Sequence, residues 1–181
     1  MQCNHGVISL AHRLEGCLQI NGEWLSMDGG FGYVETDWGS SFPDGYLWTQ
    51  ANFVDHGPSS VMLSVAEIPI LNTRFTGSIA AILHRGKCYR LATYSGASLL
   101  RCSAEQTILK QGGLSLQVTC LAQTPHLLYA PSSGDMNRLI RESPSCPVRY
   151  RFRQGEHLLF DRVCQHASFE RVSKQKKAQS L

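Results

Sequence analysis

Residues 29–53 read GGFGYVETDWGSSFPDGYLWTQANF, and the reading of this stretch decides the fold. It opens with three glycines in four positions. It closes with Tyr46, Trp48, Gln50 and Asn52 at alternate positions, after a Phe42-Pro43-Asp44-Gly45 turn. Side chains on a strand point alternately to opposite faces. Phe31, Tyr33, Glu35 and Asp37 therefore share one face of a first strand. Tyr46, Trp48, Gln50 and Asn52 share one face of a second, with Leu47, Thr49, Ala51 and Phe53 on the other. Two adjacent strands would thus carry carboxylates, amides and large rings in a small area, which is an unusual mixture for a plain core.

Outward from this stretch the chain keeps the same grammar. Upstream, Gly6–Asp28 reads as a strand and then a hairpin, because Leu18, Ile20, Trp24 and Leu25 flank Asn21-Gly22, a pair that accepts two positive φ angles. Downstream, Arg85-Gly86, Gln111-Gly112-Gly113 and Gln154-Gly155 mark further turns. Between them lie strand-like runs at 60–68, 74–83, 88–94, 114–121, 148–152 and 157–163. No long stretch keeps a clean 3.6-residue apolar period. The best helix candidate is Asp135–Glu142, with Asp135 placed to cap the first turn. Residues 122–147, with Pro125, Pro131, Pro144 and Pro147, read as a long connection or as a loop across a barrel mouth. Arg149, Arg151 and Arg153 alternate with Val148, Tyr150 and Phe152, the pattern of an edge strand guarded by charge. Regular short strands with hairpin turns predict an all-β, antiparallel barrel or sandwich.

The 181 residues suffice for one domain, taken as 1–170, followed by a basic flexible tail at 171–181. That tail holds Arg171, Lys174, Lys176 and Lys177 with no acid, leaving 13 basic against 14 acidic residues elsewhere. A nearly neutral body argues against a nucleic-acid groove. The tail suits transient contact with an anionic membrane surface. Cysteines 3, 17, 88, 102, 120, 146 and 164 are odd in number and show no C-x-x-C spacing. With no apolar leader after Met1, they read as reduced, mostly buried thiols of a cytoplasmic protein. Cys102 and Cys120 fit strand positions as packing residues.

Nucleophile elbows, phosphate-binding glycine loops and H-E-x-x-H are missing. Cys3-x-His5 and His12 make a weak metal-ligand set, and no metal is expected. Attention returns to 29–52. One reading is a glycine-permitted bulge beside an aromatic core. The other is a cavity, where a carboxyl group kept from water holds its proton. In that cavity ring faces would attract a developing cation, and Gln50 and Asn52 would hold a hydroxyl or carbonyl. Those parts suit a non-polar ligand with one polar head.

GYVETDWGSSFP followed by YLWTQANF resembles the signature of the tocopherol cyclase-like family, carried here by Gly32, Tyr33, Glu35, Trp38, Gly39, Phe42 and Pro43, then Tyr46, Trp48, Gln50 and Asn52. HGVISLAHRLEG at 5–16, FTG at 75–77, ATYSGA at 92–97 and MNRLIRES at 136–143 are similar to bacterial members. The likeness runs in order through most of 4–165, as in the C-terminal half of longer members, so an incomplete or half unit is expected. The resemblance implies a lipocalin-like fold related to the carotenoid hydratase group. It implies a prenylated quinol or similar lipid as ligand, and closure of a chromanol ring by alkene protonation. No redox cofactor or metal is implied.

Residue type and facing then suggest Glu35 or Asp37 as proton donor. They suggest Tyr33, Trp38, Tyr46 and Trp48 as rings about the ligand, and Gln50 and Asn52 as head-group contacts. The alternatives are a non-catalytic lipocalin-like carrier of a lipophilic ligand and a structural β-domain whose aromatics are only core.

Overall fold

The computed structural model describes residues 3–54, 58–70 and 73–173. Its strands, in chain order, are β1 (Cys3–Arg13), β2 (Cys17–Ile20), β3 (Glu23–Ser26), β4 (Phe31–Gly39), β5 (Tyr46–Phe53), β6 (Ser59–Ile70) and β7 (Thr73–His84). They continue with β8 (Lys87–Ala92), β9 (Ser98–Cys102), β10 (Gln106–Gln111), β11 (Leu114–Cys120), β12 (His126–Ser132), β13 (Asp135–Gln154) and β14 (His157–Val172). A 3-10 turn spans Thr93–Ser95. The expected hairpin turns are where the dipeptides put them: Asn21, Gly22, Arg85 and Gly86 all have positive φ, as does Gly155. These are the left-handed backbone positions that tight two-residue turns require.

Ten strands form one antiparallel sheet in the order β8-β7-β6-β5-β14-β13-β11-β10-β9, with β12 on the early part of β13. Among the described residues the outer strands β8 and β9 do not pair, so the sheet is open. The expected barrel-or-sandwich resolves as a sandwich. Both halves contribute to one core: Leu63, Ile82 and Leu91 pack in the same cluster as Leu116, Val148 and Phe152. The Thr49 and Tyr150 hydroxyls meet at 2.6 Å inside it. Tyr89 and Phe152, from opposite halves, stack edge to face at 5.0 Å.

Several expectations change. Residues 135–142 are strand, not helix, and 122–147 is largely the β12–β13 hairpin. Ser133 and Gly134, both at positive φ, close that hairpin. Pro144 and Pro147 stay within β13 because its ladder with β14 is bulged between Ser143 and Cys146 and again before Val148. Bulges release the hydrogen bond that proline cannot donate. β13 is central rather than an edge, flanked by β11 and β14. Val148, Tyr150 and Phe152 do face the core, while Arg149 and Arg151 converge on Asp161 of β14. Of the seven free cysteines only Cys146 is buried, and Cys17, Cys88 and Cys102 are exposed. Arg171 and Val172, expected in the tail, belong to β14; residues 174–181 lie outside the described residues.

Candidate functional site

β5 alternates as its sequence demands. Leu47, Thr49, Ala51 and Phe53 enter the core, while Tyr46, Trp48, Gln50 and Asn52 line the opposite face of the sheet. β4 is not its ladder neighbour. β4 pairs with β1, whereas β5 pairs with β6 and β14. The two strands meet face to face instead. The β1–β4 ribbon lies over the non-core face, and Glu35 reaches down to accept a hydrogen bond from Trp48 Nε1 at 3.1 Å.

The β4–β5 connection fixes this arrangement. The Arg138 guanidinium donates to the carbonyls of Phe42, Pro43 and Asp44, at 3.4, 2.8 and 2.8 Å. The amides of Ser133 and Gly134 bond Ser41 Oγ and the Ser40 carbonyl. The turn beside the Phe-Pro pair is thus clamped by the β12–β13 hairpin.

Glu35 is the centre of the polar cluster. Its Oε2 also accepts from the Tyr33 hydroxyl at 2.5 Å and lies 3.6 Å from His5 Nε2. His5 Nδ1 stands 2.9 Å from Asp37 Oδ1, and Cys3 Sγ is 3.8 Å from the same oxygen. Burial raises the Glu35 pKa above the usual carboxylate range. The hydrogen bond from Tyr33, the His5 charge and the Trp48 bond oppose that rise, while Asp37 adds to it. For His5, burial disfavours the imidazolium, but the bond to Asp37 and the charges of Asp37 and Glu35 outweigh it, so its pKa rises. Burial, with help from Asp37, pushes the Cys3 thiol up to about 11, so this sulfur is not a nucleophile at neutral pH.

A second carboxyl lies on the same sheet face. Glu170 of β14 is the register partner of Trp48 and is only 8% exposed. It accepts a hydrogen bond from the Tyr46 hydroxyl and stands opposite Glu142 of β13. Burial, reinforced by Glu142 and Asp37 against the pull of Tyr46 and Arg138, lifts its pKa to about 7. Sequence reasoning missed Glu170, since nothing local distinguishes it from a surface acid. Only the β14–β5 register brings it beside Trp48.

Beside the cluster runs a groove of about 570 Å³ between β1 and the non-core face of β6, β7 and β8. Its walls include Val7, Leu10, Met62, Ile79 and Leu83, and His5 belongs to both groove and polar cluster. Cavities of this size accommodate small organic ligands.

The expected site residues therefore separate. Tyr33, Glu35, Asp37 and Trp48 are brought together, with Tyr46 next to them through Glu170. Trp38 is not: it sits on the opposite face of β4, 56% exposed, beside Gly6. Gln50 and Asn52 share the Trp48 face, but Gln50 Nε2 donates to Asn52 Oδ1 at 2.9 Å. Asn52 lies about 13 Å along the strand from Trp48.

His12 also stands apart, bonded to Ser9 and paired with Gly32. Among the described residues, His5, Glu35 and Asp37 present ligand atoms within 4.8 Å of one another, a set that could hold a metal ion. The His5–Asp37 and Tyr33–Glu35 hydrogen bonds use His5 Nδ1, Asp37 Oδ1 and Glu35 Oε2, whereas the buried His5 Nε2 has no hydrogen-bond partner among the described residues.

The family model described as tocopherol cyclase-like matches residues 4–167. The chain belongs to the tocopherol cyclase-like family. No curated protein matches it, and no solved structure does. The family-like stretches converge in space: Tyr33 and Glu35 of the first stretch, Trp48 of the second and His5 of the N-terminal one form the cluster. Arg138, from MNRLIRES, holds the turn between the first two. No helix among the described residues is long and apolar enough to cross a membrane.

Proposed function

We propose that this chain binds a prenylated quinol or similar lipid in the groove beside β1 and closes a chromanol ring by protonating an alkene. The observation that carries this is the junction of an apolar groove with a withdrawn carboxyl: His5 lines the groove and stands 3.6 Å from Glu35. An isolated trisubstituted alkene is a weak base, so its protonation needs an acid that remains protonated near neutral pH, away from water. Burial moves the Glu35 pKa in that direction. Its proton would pass to the less substituted alkene carbon, leaving a tertiary cation. The quinol oxygen would attack that cation and return its proton to the Glu35 carboxylate, so the reaction is an isomerisation. The rings of Tyr33 and Trp48, both bonded to Glu35, would stabilise a transient cation formed beside that carboxyl. Asp37 would hold the His5 ring against the groove wall.

The test is incubation of a prenylated hydroquinone with the protein in deuterated buffer, followed by mass spectrometry for an isomeric chromanol carrying one deuteron. E35Q is expected to lower turnover by about 100- to 10,000-fold, the usual worth of a general acid. Ligand-dependent quenching of tryptophan fluorescence should persist. Binding without product in the wild-type protein would replace the cyclase with a carrier, and no binding would remove both.

A further inference from the structure

We propose that the end of the sandwich where the β7–β8 and β13–β14 hairpins meet binds a phosphate group, free or as part of a lipid headgroup. A cavity of about 390 Å³ opens there, between His84, Arg85, Lys87 and Tyr89 on one hairpin and His157 and Leu158 on the other. Among the described residues no carboxylate lines it, and neither Arg85 nor Lys87 makes an ion pair. The acids nearest in sequence are otherwise placed. Asp161 is held by Arg149 and Arg151, and Glu156 is not part of the lining.

The second observation is His84. Its residue surface is 5% exposed, its ring packs on Phe160 at 5.2 Å, and its Nδ1 has no hydrogen-bond partner among the described residues. A buried nitrogen left unpaired is costly, so its retention in a cavity wall fits a ligand better than packing alone. The site's field has the same sign: burial, then the charges of Arg85 and Arg162, lower the His84 pKa. Positive φ at Arg85 and Gly86 holds the hairpin tip in a tight turn, and Lys87 Nζ lies 4.8 Å over the Tyr89 ring. A guanidinium fork, an ammonium and two imidazoles on one concavity suit a multivalent oxyanion. Phosphate is a small oxyanion with enough acceptor atoms to use them all. The site lies outside the Glu35 cluster and does not depend on the cyclase reading.

Full-length protein with labelled histidine side chains would be titrated with inorganic phosphate at constant ionic strength, with chloride as the screening control. Signals of His84 and His157 should move saturably, those of His12 and His126 should not, and phosphate should raise the His84 pKa. In parallel, flotation would compare phosphatidylcholine vesicles with and without phosphatidic acid. Phosphate binding without vesicle binding supports a soluble phosphate ester. Binding to both supports a headgroup.

The double variant R85A/K87A alters two exposed side chains and leaves the core intact. It should weaken either interaction about tenfold, equivalent to ~1.4 kcal/mol. The proposal is overturned if phosphate leaves His84 unmoved, or if the variant binds as tightly as the wild type. Vesicle binding that leaves the histidine signals unchanged would overturn it too.

Discussion

Glu35 and Glu170 are both withdrawn from water on the same sheet face, but their partners differ in kind. Glu35 is bonded by two donors and flanked by a histidine, whereas Glu170 has Tyr46 and faces Glu142. If Glu35 is the acid, turnover must fall as pH rises through its pKa, because only the protonated form donates. Trp48 Nε1–H stabilises the carboxylate and so holds that pKa down. W48F should therefore move the falling limb of kcat to higher pH, and a limb that stays put would remove Glu35 from the acid role. Glu170 makes a stability prediction. Its folded pKa of about 7 stands above the ordinary 4.5, so the fold prefers the protonated form. That contribution is complete below about pH 4.5 and is lost as pH rises toward 7, at ~1.4 kcal/mol per unit. E170Q keeps an acceptor for Tyr46 and never ionises. Its unfolding free energy should match wild type in acid and exceed it increasingly up to neutral pH, by ~2–3 kcal/mol. A pH-independent difference would mean that Glu170 ionises normally in the folded chain.

The β1–β4 ribbon makes its ladder only with itself, yet it carries His5, Tyr33, Glu35 and Asp37. It is held to the main sheet by side chains, with no ladder hydrogen bonds to resist local opening. Amides of β1 and β4 should exchange with solvent ~100-fold faster than those of β6 and β13, a gap of ~2.7 kcal/mol. Removing the Glu35–Trp48 bond with W48F should widen the gap, and equal protection would mean the ribbon opens only with the whole fold. This also explains what the sequence disclosed. Hairpins were legible at Asn21-Gly22 and Arg85-Gly86, turn dipeptides at positive φ between apolar alternating runs. The faces of β5 were legible because a period of two fixes them. The β12–β13 hairpin was not, because Pro144 and Pro147 look like strand breakers until the bulges that admit them are seen. Nor could alternation alone tell that Glu35 meets Trp48 across a stack of two sheets rather than along one ladder. Facing is local, whereas pairing depends on distant chain.

Pairing across distance is what makes the sandwich one body. In the sheet order, β8-β7-β6-β5 and β14-β13-β11-β10-β9 are joined by a single ladder, from Ser168↔Gln50 to Val172↔Tyr46, between residues roughly 120 apart in sequence. Contacts of such separation form late and slowly, because the loop must be closed before the ladder rewards it. The same five-residue ladder sets Glu170 beside Trp48, so the candidate site inherits its geometry from the seam. Phe169 lies within that seam, 3% exposed in the core that both halves share. F169A should cost ~3–5 kcal/mol, a large part of an ordinary domain's stability. By contrast L158A, at a position 41% exposed, should cost less than ~1 kcal/mol. The informative readout is where the loss falls. If the seam couples the halves, F169A should lower exchange protection of β7 and β11 amides by equal amounts and keep one denaturation transition. Loss confined to β11 and β13, with β6 and β7 unchanged, would mean that each half holds its own core and that the seam only positions the site.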